Sequence, residues 1–180
     1  MKNSMKIVIG VVVVLILLIM SGIGTYNKLV TKNENVKSAF SQIDNQLQRR
    51  NDLIPNLVQT VKQYAAHEEE VFTDVADARA KLAGAGTVAE QAEGDAAVTG
   101  ALSRLLAISE NYPELKANQN FIQLQDELAG TENRIAVSRK DYNDVAKDYN
   151  KSIKNFPTLI FANILGFDEV NYFEASENSR

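Results

Sequence analysis

Residues 118–156 read NQNFIQLQDELAGTENRIAVSRKDYNDVAKDYNKSIKNF, and this stretch decides the fold. Large apolar or aromatic side chains recur in it at every seventh position: Phe121, Leu128, Ile135, Tyr142, Tyr149 and Phe156. A seven-residue period keeps one face of an α-helix apolar, and its mismatch with the helical repeat makes neighbouring helices coil around each other in a left-handed sense. The stretch therefore predicts one long helix over about 118–155, packed lengthwise against other helices.

The residues before this helix carry similar apolar spacing three more times, at about 27–51, 52–82 and 88–111. No sustained alternation of apolar and polar residues, the pattern typical of strands, occurs in the sequence. Short connections between long amphipathic helices give an antiparallel bundle. The sequence thus predicts an all-α fold, with an antiparallel up-and-down four-helix bundle over residues 28–157. A short apolar segment and an acidic tail follow over 158–180.

Residues that cap or break helices mark the predicted boundaries. Asp52 is a good N-cap for the second helix, because Pro55 then falls in the first turn, where a missing N–H costs little. The glycine-rich stretch 83–86 ends that helix. Thr87, with Glu90 three residues later, predicts a capping box at the start of the third helix.

Residues 1–27 differ from the rest of the chain. No charged residue lies between Lys6 and Lys28, and a helix of about 20 uncharged residues can cross a hydrocarbon core about 30 Å thick. Lys2 and Lys6 also resemble the start of a cleaved secretory signal, but the apolar run is long for one and 22–24 is only a passable cleavage site. We expect an uncleaved, single-pass transmembrane helix, either continuous with the first bundle helix or hinged at its glycines. Lysines flank the run on both sides, and we place the body outside the cytoplasm.

The composition narrows the possible chemistry. The 180 residues include no Cys and one His, which excludes disulfides, thiolate metal sites and multi-histidine metal sites. The net charge is −4, and the body after residue 27 carries −6 (17 basic minus 23 acidic residues), so nucleic acid is not an expected partner. The stretch from His67 to Glu70 begins like a zinc-protease motif, but Val71 stands where a second His is required. We expect no enzyme activity, no cofactor and no metal site.

Charged residues on the predicted apolar seams form the candidate site. Arg50 stands on the seam of the first helix, and Thr131–Arg134 is a similarly polar stretch of the last helix. We predict a buried polar layer in which Arg49 or Arg50 pairs with Glu132, so that exchanging the two charges restores stability. The full set proposed for this layer and for docking is Asp44, Arg49, Arg50, Asp52, Glu68, Glu132 and Arg134. Acid–base chemistry is the alternative, but no nucleophile or phosphate-binding loop accompanies these carboxylates.

The stretch Phe156–Phe167 reads FPTLIFANILGF, in which eight of twelve residues are apolar. In an up-and-down bundle this stretch returns to the membrane side, which allows two interpretations. It either caps the open end of the bundle or dips into the lipid interface. The residues proposed for membrane-proximal contact are Phe156, Ile160, Phe161, Ile164 and Phe167.

Several strings occur together along the chain: SQIDNQLQRR (41–50), DLIPNLV (52–58), YAAHE (64–68), LQDEL (124–128), GTENRIAV (130–137) and NFP (155–157). In this order they closely resemble the LemA family of bacterial membrane proteins, over nearly the whole chain. The resemblance implies a single N-terminal span, a long helical bundle and a location in the bacterial cell membrane, but no reaction. A magnetosome-membrane protein belongs to the family, and its genes often neighbour that of the membrane protease HtpX. Both associations imply a role in membrane organisation or quality control.

Three classes of function are compatible with these observations. The first is a membrane-anchored helical scaffold that docks other envelope proteins, an HtpX-type protease or further copies of itself. The second is a lipid-contacting or membrane-shaping protein, which relies on Phe156–Phe167 and the anchor. The third is an enzyme, which would need convergent carboxylates and a deep pocket. The scaffold is the function that the sequence favours.

Overall fold

The computed structural model describes residues 2–174, without the side chains at 2–5, 7, 8, 11, 14 and 18. The end of the predicted acidic tail, 175–180, lies outside the described residues. Within 2–174 the regular structure is entirely helical, so the predicted all-α class is confirmed. The helices are α1 (Lys2–Lys62), α2 (Glu69–Ala83), α3 (Val88–Ser109), α4 (Pro113–Lys116), α5 (Gln119–Lys154) and α6 (Thr158–Leu165).

The boundary predicted between the first two bundle helices at 51–52 is wrong. Helix α1 continues through Asp52 and Pro55, and the chain reverses only between 63 and 68. Pro55 has no N–H to donate to the carbonyl of Asn51, one turn earlier. The Nε–H of Arg79 in α2 donates to that carbonyl instead, at 3.3 Å, and to the Asn51 side chain at 3.1 Å. A partner from another helix thus allows proline inside α1. Helix α1 also runs without a break through both glycines at 22 and 24.

The chain divides into two compact units, of which the second comprises residues 39–143 and 171–174 of the described part. Its helical segments are antiparallel to their chain neighbours. Asp74 and Lys81 of α2 bind Arg104 and Glu93 of α3, so the pairing runs in opposite directions. Likewise, an early residue of α1 in this unit, Phe40, contacts a late one of α5, Tyr142. The four segments α1, α2, α3 and α5 therefore alternate in direction.

The core of the second unit follows the predicted seams. The heptad residues of α5 in this unit are buried, and so are apolar residues of α1, α2 and α3. They are Phe121, Leu128, Ile135 and Tyr142 on α5, Ile43, Leu47, Ile54 and Leu57 on α1, Val75 and Leu82 on α2, and Val98, Leu102 and Leu105 on α3. Helices α2 and α3 approach closely at Gly94, where an added Cβ would lie 2.8 Å from the Cα of Leu82. The predicted capping box is present, because Thr87 and Glu90 each accept the other's backbone N–H.

The first unit comprises residues 2–38 and 144–170 of the described part. Leu29 and Val36 of α1 and Tyr149 of α5 are buried in it, and Lys32 pairs with Asp148. The predicted heptad ends at Tyr149: Phe156 lies beyond the end of α5 and is 83% exposed, so its assignment to the seam is wrong.

In the described part of the chain, no helix combines the length and apolar character needed to cross a bilayer. Five side chains of the apolar run, at 7, 8, 11, 14 and 18, lie outside that description.

Candidate functional site

Arg50 lies inside the second unit, at a position where the α1 seam otherwise carries aliphatic residues. Its side chain is 4% exposed, and the guanidinium reaches two other helices. The Nη1 atom lies 2.5 Å from Oδ1 of Asp95 on α3, and Nη2 lies 2.6 Å from Oε2 of Glu132 on α5. Nη2 also donates to the hydroxyl of Thr99 at 3.1 Å. One side chain therefore links three of the four helical segments.

Asp95 is the second buried charge, with its side chain 6% exposed. Its Oδ2 accepts a hydrogen bond from Nη2 of Arg139 on α5 at 2.9 Å, while Oδ1 faces Arg50. We call the set of Arg50, Asp95, Thr99, Glu132 and Arg139 the Arg50 layer. It contains two guanidinium groups and two carboxylates, so its charges balance, as a buried polar cluster requires. Because Arg50 and Asp95 are buried, this cluster fixes how the helices pack and offers little to a solute.

The structure brings together only part of the predicted site. Arg50 and Glu132 form the predicted pair, whereas the other predicted residues lie outside the Arg50 layer. Arg49 is exposed and 3.8 Å from Glu127, and Arg134 donates to Gln46 at 3.2 Å. Asp44 accepts from Gln91 at 3.2 Å; Asp52 is exposed within α1, and Glu68 lies in the turn before α2.

Sequence reasoning missed Asp95, Thr99 and Arg139. Asp95 was hidden in an alanine-rich stretch, yet it precedes Val98 by three residues and so shares the buried face of α3. That spacing could have revealed it. Arg139 lies four residues after Ile135 and three before Tyr142, at the edge of the heptad face, where charged residues are common, so its position gives no specific signal for a buried ion pair.

The residues proposed for membrane-proximal contact fall into two groups. Phe156, Ile160 and Ile164 expose 83%, 50% and 75% of their surface. By contrast, Phe161 and Phe167 are half-buried against α1. The ring of Phe161 lies against Gly22, and that of Phe167 lies edge-on to Tyr26 with ring centroids 6.0 Å apart. Part of the segment thus packs on α1, and the remainder forms an exposed apolar face.

An extended segment, 171–174, packs within the second unit at a place that no sequence pattern singled out. The side-chain amide of Asn143 forms two hydrogen bonds with the backbone of Phe173, each 2.9 Å long. The hydroxyl of Tyr142 donates to the carbonyl of Asn171 at 2.8 Å. Burial, and to a lesser extent the nearby Tyr172, raises the pKa of the Tyr142 hydroxyl.

The Phe173 ring is held from several sides and is 6% exposed. It stacks on Phe40, with centroids 6.5 Å apart, and meets the edge of Tyr142 at 5.3 Å. The Arg139 guanidinium lies 5.2 Å from its centroid, a favourable cation–π distance. We call Phe40, Arg139, Tyr142 and Asn143 the aromatic clamp.

In the first unit, a second asparagine makes similar contacts. Asn150 donates to the carbonyl of Val170 at 2.8 Å and accepts its N–H at 3.0 Å. Burial, with a smaller contribution from Asp168, raises the pKa of Tyr149 beside it in sequence.

The surface depressions in the described part of the second unit include the following two. One, of about 440 Å³, lies between α2 and α3 and is lined by Asp74, Asp77, Lys81 and Arg104 among others. The other, of about 200 Å³, is lined by Asp44, Asn51, Asp52 and Gln91 among others. Neither is lined by Arg50 or Asp95. Among the described residues, no group of three or more acidic or histidine side chains is placed to hold a metal ion.

The amino-acid sequence is similar to that of a known protein family and of several known proteins. The LemA family model matches residues 39–180. The chain is 30% identical over 175 residues to magnetosome protein MamQ 2 of Paramagnetospirillum magneticum, an alignment that covers 83% of this chain and 64% of that protein. It is 30% identical to magnetosome protein MamQ of Magnetospirillum gryphiswaldense, with coverage of 82% and 64%. It is also 27% identical to protein LemA of Metamycoplasma hominis, with coverage of 88% and 73%. The chain thus spans less than two thirds of the length of the magnetosome proteins.

Proposed function

The chain belongs to the LemA family, and from this premise we propose that it is a membrane-anchored, non-enzymatic helical scaffold that docks other proteins of the bacterial envelope. The observation that carries the proposal is the exposed apolar surface. On α1, side chains such as Leu15, Leu17 and Met20 are more than half exposed, and α6 adds Ile164. Extensive exposure of large apolar side chains marks contact with lipid or another protein.

The anchor within this proposal is the run 7–27, which carries no charge. About 20 such residues match the thickness of the hydrocarbon core. The names of the magnetosome relatives add support for membrane association. Single-pass topology, with the body outside the cytoplasm, is the arrangement that we propose.

The Arg50 layer supports a structural role over a catalytic one. Its charges pair with each other, and buried charge clusters of this kind fix the register of helices. A fixed register gives a long bundle a constant outer surface, which a docking protein needs.

Site-specific photo-crosslinking in native membranes tests the scaffold. A benzoylphenylalanine placed at the exposed Ile164 should form adducts with other envelope proteins, among which an HtpX-type protease is one candidate. The same probe at Val137, an exposed position on α5, is the matched control for non-specific capture. Adducts with lipid alone, or with the same proteins from both positions, would contradict the proposal.

The exposed face of α6 favours a second candidate function, contact with or shaping of the lipid bilayer. Phe156, Ile160 and Ile164 would then lie in the lipid interface. Purified full-length protein should tubulate or indent liposomes if this function is correct. An Ile160→Asp/Ile164→Asp variant should lose the deformation while the protein stays inserted; equal deformation by both would exclude a role for this face.

A further inference from the structure

The aromatic clamp has the features of a peptide-binding site. Extended peptides are generally recognised by hydrogen bonds to their main chain together with a pocket for one side chain. Asn143 supplies the main-chain hydrogen bonds, because its amide donates to the carbonyl of Phe173 and accepts from its N–H. Phe40, Tyr142 and Arg139 supply the side-chain pocket, because they enclose the Phe173 ring. Tyr172, between the two contacted residues, remains 43% exposed, so the site selects for position 173.

We propose that the aromatic clamp also binds residues 171–173 of a second copy of this chain. The clamp's hydrogen bonds run to the backbone of Asn171 and Phe173, and none of them depends on which copy carries the segment. Each copy carries both the clamp and its ligand, which is the condition for exchange of an identical element between two protomers. Binding within one chain is favoured by a high effective concentration, so exchange is expected when the chain's own segment is weakened or copies are concentrated.

A labelled peptide tests whether the clamp binds a free segment. The probe is DEVNYFE, residues 168–174, titrated against the full chain carrying Phe173→Ala in detergent micelles, since that change removes the ring from the clamp and so weakens binding of the chain's own segment. We expect saturable binding that weakens about tenfold or more when Asn143→Asp is added, because a carboxylate cannot donate to the peptide carbonyl. Asn133→Asp, the same change at an exposed position of α5, should leave binding unchanged. A peptide with Ala in place of Phe should not bind. Absence of binding by DEVNYFE to the folded variant would overturn the proposal.

Complementation identifies the second copy as the source of the segment. Phe173→Ala copies have an intact clamp but lack the Phe173 ring, whereas Asn143→Asp copies keep that ring but have a damaged clamp. Neither variant can complete an exchange with copies of itself, so each alone should sediment as a single chain. An equimolar mixture should form a 1:1 complex of about twice the 19.9 kDa chain mass. Peptide binding without complex formation would overturn exchange between copies and point to another protein as the partner.

A cross-linking experiment covers the case in which Phe173→Ala does not fold. The chain has no Cys, so single thiols can be placed without removing native ones. Tagged Asp141→Cys and untagged Tyr172→Cys copies, which keep Phe40 and Phe173 and place thiols at exposed neighbouring positions, should give a mixed dimer when mixed and treated with a short bismaleimide. Asn143→Asp in the tagged copy should reduce its yield. A yield no greater than that from a thiol at the exposed Asn133 would overturn the proposal. These readouts measure association between copies only, so their failure leaves the scaffold proposal standing, and failure of the scaffold test leaves this one standing.

Discussion

Arg50 shows how one buried charge can determine the packing of three helices. Replacing it with Met leaves the carboxylate of Asp95 buried, with Arg139 as its remaining cation. Removing one partner of a buried pair costs about 3–5 kcal/mol, because the remaining charge is not resolvated. We therefore expect Arg50→Met to lower the free energy of unfolding by about 3 kcal/mol, measured by chemical denaturation followed by circular dichroism.

Arg49→Met is the matched control for this prediction. The Arg49 and Glu127 side chains are both more than half exposed and lie 3.8 Å apart. Exposed pairs contribute about 0–1 kcal/mol. Equal losses from the two variants would mean that the Arg50 layer stabilises the bundle no more than a surface ion pair does.

Glu90 is a residue whose contribution should depend on pH. Hydrogen bonds from the backbone of Gly86, then from the side chain and the backbone of Thr87, hold the pKa of this carboxyl below its usual value of 4.5. A group with a lowered pKa stabilises the folded state above its unfolded pKa and loses that effect as pH falls through the folded one. Glu90→Gln should thus be less stable than the parent at neutral pH, and the gap in melting temperature should narrow as the pH falls below the unfolded pKa of about 4.3 and close once it has passed through the lowered folded pKa.

The opposite end of α3 provides the control for Glu90. Glu110 is exposed at the C-cap, where a negative charge is unfavourable to the helix dipole. Glu110→Gln should not destabilise at neutral pH. A destabilisation equal to that of Glu90→Gln would show that loss of any acidic charge, rather than loss of the capping box, causes the effect.

At the scale of the element, Pro55 and Arg79 explain how α1 continues past its predicted end. Arg79→Met should destabilise the parent, because the Asn51 carbonyl loses its hydrogen bond. In a Pro55→Ala background the alanine N–H can satisfy that carbonyl, so the same change should cost less. A double-mutant cycle should give a coupling of about 1 kcal/mol in unfolding free energy. Additive effects would refute the compensation of proline by Arg79.

Helices α2 and α3 approach closely at Gly94, and two single substitutions in α3 can test this approach. Gly94→Ala places a methyl group within 2.8 Å of the Leu82 Cα and should cost about 1–3 kcal/mol, since backbone must move. Gly100→Ala, in the same helix with nothing within 4 Å of its Cβ, should instead stabilise by up to about 1 kcal/mol. Thermal unfolding of both variants measures the difference, and shifts of the same sign would contradict the close approach.

The seven-residue period made α5 predictable, because burial of one helical face leaves a direct trace in sequence. The capping box at Thr87 was predictable for a similar reason, since its partners are three residues apart. The continuation of α1 was not, because the bond that compensates for Pro55 comes from a residue 28 positions away from Asn51. Sequence patterns over a few residues reveal contacts between residues close in the chain, whereas the hydrogen bond from Arg79 to Asn51 joins two different helices.

The Arg50 layer was predictable only as a pair. Exchanging the charges of Arg50 and Glu132 would also involve a third residue, since Arg50→Glu would place a carboxylate against Asp95. Rescue by Glu132→Arg is therefore not expected. The aromatic clamp could not be predicted from the sequence, because the segment that it binds is four residues of extended chain with no periodic pattern.

At the scale of the whole molecule, the proposed anchor makes a prediction that separates it from the apolar face of α6. Leu15 and Ile19 are more than half exposed on one face of α1. An aspartate near the middle of a membrane span costs roughly 2.5–3.5 kcal/mol, so Leu15→Asp/Ile19→Asp should move the protein from the membrane pellet to the supernatant after alkaline carbonate extraction. Ile122→Asp/Val137→Asp, with the same two charges at exposed positions of α5, should remain in the pellet. If the α1 variant also stays in the pellet, and leaves it only when Ile160→Asp/Ile164→Asp is added, then α6 rather than α1 holds the protein at the membrane.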